Sequence, residues 1–170
     1  MRQTFIAGHA NDLQQCIGYC CAWIHRLNRF GHVRSIADLG GRPVAASFMV
    51  GKANVDSVLM GAGLTLGRLT RHEGEQRGVT GSWIASCVAQ SPGYYVISIW
   101  RPSDNAGHSM AVRHRVGTGA DLFFDPNRGQ WEGDDLMSAL PSLLRPYLSS
   151  SLLDQLDNTG RCWCDVRKVS

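Results

Sequence analysis

At 170 residues, with 44% hydrophobic and 18% charged residues, the chain is long enough to bury a core and short enough to form one domain, residues 1–170. Its apolar runs are broken by Gly, Ser or Arg well short of a membrane span, and "MRQTFIAGHAND" lacks the apolar stretch of a secretory signal, so a cytoplasmic address is expected. The net charge of +3 is mild; the densest basic patch, "HRLNRFGHVR" (25–34), could steer an acidic partner or membrane surface but reads more plainly as a solvated face, and no aromatic-interleaved stripe points to nucleic acid.

The first clear element begins after Asn11. Ile17, Cys20, Cys21, Ile24 and Leu27 recur at steps of three and four, Asn11 and Asp12 are candidate caps, and Gly31 supplies a stop, so a helix is expected with Cys16 at or near its start. Residues 32–93 read less sharply. Val55, Val58, Leu59 and Leu66 suggest a glycine-weakened helix, "EGEQRG" a loop, and "GSWIASCVAQ" a short helix ended by "SPG". The C-terminal half changes character: "YYVISIW" (94–100), "HSMAVRHRV" (108–116), "DLFFD" (121–125) and "RCWCDVRKV" (161–169) are β-branched or aromatic runs bounded by turn formers, and they predict an antiparallel sheet. Between the last two, "DDLMSALPSLLRPYLSSSLLDQL" predicts helix broken by Pro141 and Pro146. Helices first and sheet second argue an α+β fold.

The six cysteines, Cys16, Cys20, Cys21, Cys87, Cys162 and Cys164, do not form zinc knuckles, and without an export signal reduced thiols are expected, with no metal and no cofactor. A cysteine at a helix start meets N–H groups and a dipole that favour the thiolate, whereas Cys20 and Cys21, a turn further in, read as core. His108 opens a strand after a glycine loop, where a base can be held yet exposed at the end of a sheet. Asp125 closes the next strand before Pro126. If His108 stands opposite Asp125, the hairpin centres between Val116 and Gly117, beside "GTG", and the two side chains share a face about 5 Å apart at Cβ. Cys16, His108 and Asp125 thereby form a nucleophile, a base and an orienting carboxylate, the logic of acyl transfer. His114 shares a face with His108, Trp131 is a candidate wall, and Asn127 a brace for the turn at Asp125; each has a plainer structural reading. Ser86, Ser98 and Ser109 have no base at motif spacing.

The run "C-I-G-Y-x-x-A" at Cys16, with "GHSMAV" and "FFDPNRG", resembles papain-like cysteine peptidases (clan CA). It is most similar to bacterial effector proteases of the YopT/AvrPphB type; "CxGY" and "GHxMAV" also resemble staphopains, which have Asn where this chain has Asp125. These segments cover about a quarter of the chain, and residues 32–93 match nothing in the family pattern. The resemblance implies a papain-like α+β fold, with an N-terminal helical part carrying the nucleophile at a helix start and packed against a C-terminal antiparallel sheet. It maps nucleophile, base and orienter to Cys16, His108 and Asp125. Such enzymes usually carry a Gln about six residues before the nucleophile; here that position is Ala10, leaving Asn11, His9 or Gln15 as oxyanion candidates beside the Cys16 backbone N–H. The implied function is cleavage of a protein substrate in a host or target cell by an effector or toxin delivered through a dedicated secretion system, with room for a cognate inhibitor or secretion chaperone. Deamidation of Gln or Asn by the same triad is the close alternative, and a non-catalytic effector or binding module the third.

Overall fold

A computed structural model describes residues 1–7, 15–75, 80–100, 107–117, 119–148 and 161–170. Within these, the strongest helical pattern becomes α1, Cys16–Phe30, closed by Gly31 in the left-handed conformation with its N–H on the Leu27 carbonyl at 2.8 Å. The helix starts at Cys16, as expected; Gln15 takes the cap position without a side-chain capping bond, and the candidate caps Asn11 and Asp12 lie outside the described residues. A short 3-10 turn, Ile36–Leu39, leads into α2 (Gly41–Met49), and α3 (Val55–Gly61) begins at a reciprocal capping box between Asn54 and Ser57. The helical pattern expected to run on to Leu66 ends at Gly61. Leu66 instead opens a strand.

The sheet contains seven antiparallel strands among the described residues. These are β1 (Arg2–Phe5), β2 (Leu66–Glu75), β3 (Gly93–Trp100), β4 (Gly107–His114), β5 (Asp121–Asp125), β6 (Gly129–Gly133) and β7 (Arg161–Val169), in the order β1-β6-β5-β4-β3-β7-β2. The four C-terminal runs are strands, as expected. Sequence reading did not anticipate β1, β2 and β6, so the order is not helices first: a strand opens the chain and "EGE", expected as loop, is the end of β2. Two of the three are short or charged edge strands, which carry little apolar signal.

Helices cover both faces. Val96, Ala111, Leu122, Phe124 and Val169 point to a core shared with α1, α2 and α3, while Ile97, Met110, Val112, Phe123 and Val166 point to a second core. That second core is filled by α4 (Gly81–Val88) and α5 (Leu136–Leu148). Burial on both sides is why the central strands read as near-continuous apolar runs rather than as alternation. Trp23 anchors α1 to the sheet: its indole stacks on Phe124 at 5.5 Å between ring centroids, and its Nε1 donates to Gln130 Oε1 at 2.7 Å. Pro141 and Pro146 do not break α5, although a proline in a helix interior costs about 3 kcal/mol. Leu136, Leu140, Leu144 and Tyr147, spaced four, four and three, bury one continuous face, and this packing outweighs the lost ladder bonds.

Gly18 lies in α1 where the helix crosses α2 at the Ala45 backbone, and a methyl group there would collide with the Ala45 carbonyl. Helix propensity alone favours Gly18→Ala by about 1 kcal/mol, yet overpacking a tight crossing costs about 1–3 kcal/mol. We therefore expect Gly18→Ala to lower the midpoint of urea unfolding; an unchanged or higher midpoint would show that the two helices separate freely.

Candidate active site

Three elements bring Cys16, His108 and Asp125 together. Cys16 is the first residue of α1, His108 the second of β4 and Asp125 the last of β5. The His108 Nε2 and Asp125 Oδ1 atoms are 2.9 Å apart, and the backbone N–H of Ser109 donates to Cys16 Sγ at 3.2 Å. The register differs from expectation by two residues: Ala111 pairs with Phe124, Val112 with Phe123 and Arg113 with Leu122, so continuing the ladder sets Asp125 level with Met110. A slip of two keeps every side chain on its face, and the imidazole and carboxylate meet along the diagonal instead of directly opposite. The β4–β5 ladder ends at Ala111. Residues 107–110 therefore have no β5 partner, which leaves the Ser109 N–H to the thiol.

The turn after Asp125 explains the "DPNRG" motif. Asp125 Oδ1 accepts the Asn127 N–H at 2.9 Å, its carbonyl accepts the Arg128 N–H at 3.0 Å, and Pro126 between them presets the backbone of a tight turn into β6. The side chain that braces the turn is thus that of Asp125, bonded to the Asn127 backbone, while the Asn127 amide reaches the hydroxyl of Tyr147. Asp125 Oδ2 accepts a further bond from the Tyr147 hydroxyl at 2.6 Å. Sequence reading missed Tyr147. It stands on α5, and its ring stacks on His108 with 4.6 Å between centroids and 22° between planes. His108, expected to be exposed, is 4% exposed because of this cover.

The electrostatics of the three groups are mutually dependent. Burial alone would raise the Cys16 thiol pKa; the hydrogen bond and charge of His108, with the N–H and hydroxyl of Ser109, more than offset it and bring the pKa below that of an ordinary thiol. Burial alone would lower the His108 pKa, but the bond to Asp125 and the coupling to Cys16 raise it to about 9. Asp125 is held below the usual carboxylate range: burial opposes ionisation, and His108, Tyr147 and the Asn127 N–H outweigh it. Nδ1 of His108 is buried without a hydrogen-bond partner of ordinary geometry among the described residues. With Nε2 committed to Asp125, Nδ1 is the ring nitrogen left to face the thiol.

The neighbouring thiols differ. Cys20 and Cys21 are fully buried; burial raises the Cys20 pKa strongly and takes Cys21 to about 12, so neither ionises near neutrality. Cys164 lies in the second core, and the Cys162 side chain is outside the described residues. Of the oxyanion candidates, His9 and Asn11 fall outside the described residues, as does Ala10. Gln15 adjoins Cys16, and its Oε1 is buried without a partner. His114 sits at the far end of β4, 3.1 Å from Asp121 through Nδ1, and does not reach the cluster. Trp131 packs on Phe123 in the second core. Ser98 and Ser109 share a buried hydroxyl contact of 2.9 Å.

No protein-family model matches the chain, and no curated protein matches it in sequence. Its structure is similar to the crystal structure of the Pseudomonas avirulence protein AvrPphB, with a TM-score of 0.61 over 95% of this chain and 93% of that one, at 17% sequence identity. This likeness, with the antiparallel sheet and the helix carrying Cys16, establishes the papain-like α+β fold. No helix among the described residues is long and apolar enough to cross a membrane.

The shifts predict how the thiol reacts. The thiolate forms below the usual thiol range and the imidazolium persists to about 9, so the ion pair occupies the interval between them. Alkylation of Cys16 by iodoacetamide is expected to level off at a lower pH than that of an ordinary thiol. In His108→Ala burial is no longer opposed by the imidazolium, and the rate at pH 7 should fall roughly tenfold or more. Mass-spectrometric labelling at the same rate with and without His108 would contradict this.

Proposed function

We propose that residues 1–170 form one catalytic domain, a cysteine protease of the effector type that cleaves a protein substrate with Cys16, His108 and Asp125. The observation that carries this reading is the buried His108–Asp125 pair, 2.9 Å apart, together with Ser109, the residue after His108, whose N–H donates to Cys16 Sγ at 3.2 Å, so that thiol, imidazole and carboxylate share one buried cluster. The motif resemblance around Cys16, His108 and Asp125 and the papain-like fold support it. Delivery into another cell is part of the same proposal and rests on the resemblance to effector proteases alone.

In this mechanism the Cys16 thiolate attacks the scissile carbonyl carbon, and the carbonyl π electrons move to oxygen. Backbone donors at the start of α1 and the Gln15 amide receive that oxyanion, with Asn11 as the other candidate. His108 gives its proton to the leaving nitrogen as the C–N bond breaks, forming an acyl thioester and a free amine. The neutral imidazole then takes a proton from water, the resulting hydroxide displaces the thiolate, and the acid product leaves. Asp125 fixes the ring orientation and stabilises the imidazolium at both stages. Tyr147 positions Asp125 and screens the His108–Asp125 bond from water, a role it fills without touching substrate.

Two measurements test this. Incubation of an unfolded protein such as casein with the wild-type chain should give new peptide termini by mass spectrometry, absent with Cys16→Ala. A gain of about 1 Da at Gln or Asn without fragments would replace the protease with a deamidase, and neither change would favour a non-catalytic module. In Tyr147→Phe the ring remains and one bond to a charged carboxylate is lost, so kcat should fall about tenfold while KM holds.

A further inference from the structure

The basic patch at residues 25–34 leads to a second site. Where α1 ends, Gly31–Arg34 forms one wall of a cavity of about 330 Å³ whose other walls are β1, β4, β5 and β6. Arg2, His32, Arg34 and Arg113 line it, against one carboxylate, Glu132. Arg113 is the informative residue. It is 7% exposed, and its Nε is buried without a hydrogen-bond partner, an arrangement that ordinarily costs free energy. The rest of its guanidinium is served by neutral groups: Nη2 donates to the Ala120 carbonyl at 3.3 Å and Tyr94 lies beside it, while Glu132 acts on it by charge alone.

The local acids are otherwise engaged. Glu132 is 3.8 Å from Arg2 and half exposed, and Asp38 accepts the Arg34 N–H at 2.8 Å while lying 3.9 Å from Arg26. The cavity therefore keeps an excess of basic groups, with a buried guanidinium beneath and exposed basic side chains at its rim. Guanidinium groups supplied by several elements suit a tetrahedral oxyanion better than a single planar carboxylate. The volume lies at the lower end of small-molecule pockets, enough for a phosphate and a compact organic body.

We propose that this cavity binds a phosphate group, on a small soluble molecule or on a lipid headgroup, with Arg113 as its buried anchor and Arg2, His32 and Arg34 closing over it. Burial and the neighbouring Arg115 both disfavour the charge on Arg113, which a bound anion would compensate. The site is separate from the Cys16 cluster. The two lie at opposite ends of α1, whose 15 residues span roughly 22 Å. A ligand there would link the edge strand β1 to the chain leaving α1 and so stabilise the folded state by mass action.

The test is calorimetric titration with inorganic pyrophosphate at constant ionic strength, in a Cys16→Ala background so that the result does not depend on the reading of the thiol site. A parallel arm measures co-sedimentation with phosphatidylcholine vesicles carrying a phosphatidylinositol phosphate. Pyrophosphate should bind and raise Tm. Arg34→Ala, a change at an exposed residue, should weaken binding roughly tenfold, and Arg113→Leu should abolish it. Binding confined to the vesicles, with the same loss in Arg34→Ala, would identify a lipid headgroup. Absence of binding in both arms, or affinity unchanged in Arg34→Ala, would overturn the site.

Discussion

One buried carboxylate organises this molecule. Asp125 is fully enclosed, and an isolated anion in that position would be too costly to remain ionised. It stays charged because three donors converge on it, one from the neighbouring strand, one from its own turn and one from α5. Each donor thereby acquires a fixed place: the imidazole its orientation, the β5–β6 turn its geometry, and α5 its depth against the sheet. The raised pKa of His108 and the lowered pKa of Cys16 follow in sequence, since each is set by the charge of the next group along.

Three thiols within one turn and a half of α1 show how far environment decides reactivity. Cys16 is as buried in practical terms as Cys20 and Cys21, and desolvation acts on all three in the same direction. What separates Cys16 is its place at the helix start, where the end of β4 that lacks a β5 partner can meet it. The truncated β4–β5 ladder is therefore as important to the site as the cysteine itself.

Much of this was legible in the sequence where chemistry is local. The helix start, the four C-terminal strands and the shared face of His108 and Asp125 follow from periods of 3.6 and 2, and the error of two residues in register was harmless because face depends only on parity. Tyr147 was illegible for a different reason. Its partner lies 22 residues away on another layer, and two prolines disguised its helix as fragments. The edge strand β2, "LGRLTRHEGE", reads as the tail of a helical pattern and the start of a loop because a strand at the edge has few apolar residues to declare it. Arg113 sits in a strand of apolar neighbours, and nothing in its spacing announces that it lines a cavity.

The bond from the Ser109 backbone to the Cys16 sulfur joins residues 93 positions apart. No local segment can form it, and closing so long a loop belongs to the late, slow steps of folding a strand-rich chain. Until β3 and β4 have paired and docked on α1, the chain carries only thiols of ordinary reactivity. Enhanced nucleophilicity at Cys16 is thus a property acquired with completed tertiary structure, and in a nascent or unravelled copy that sulfur is one ordinary thiol among six.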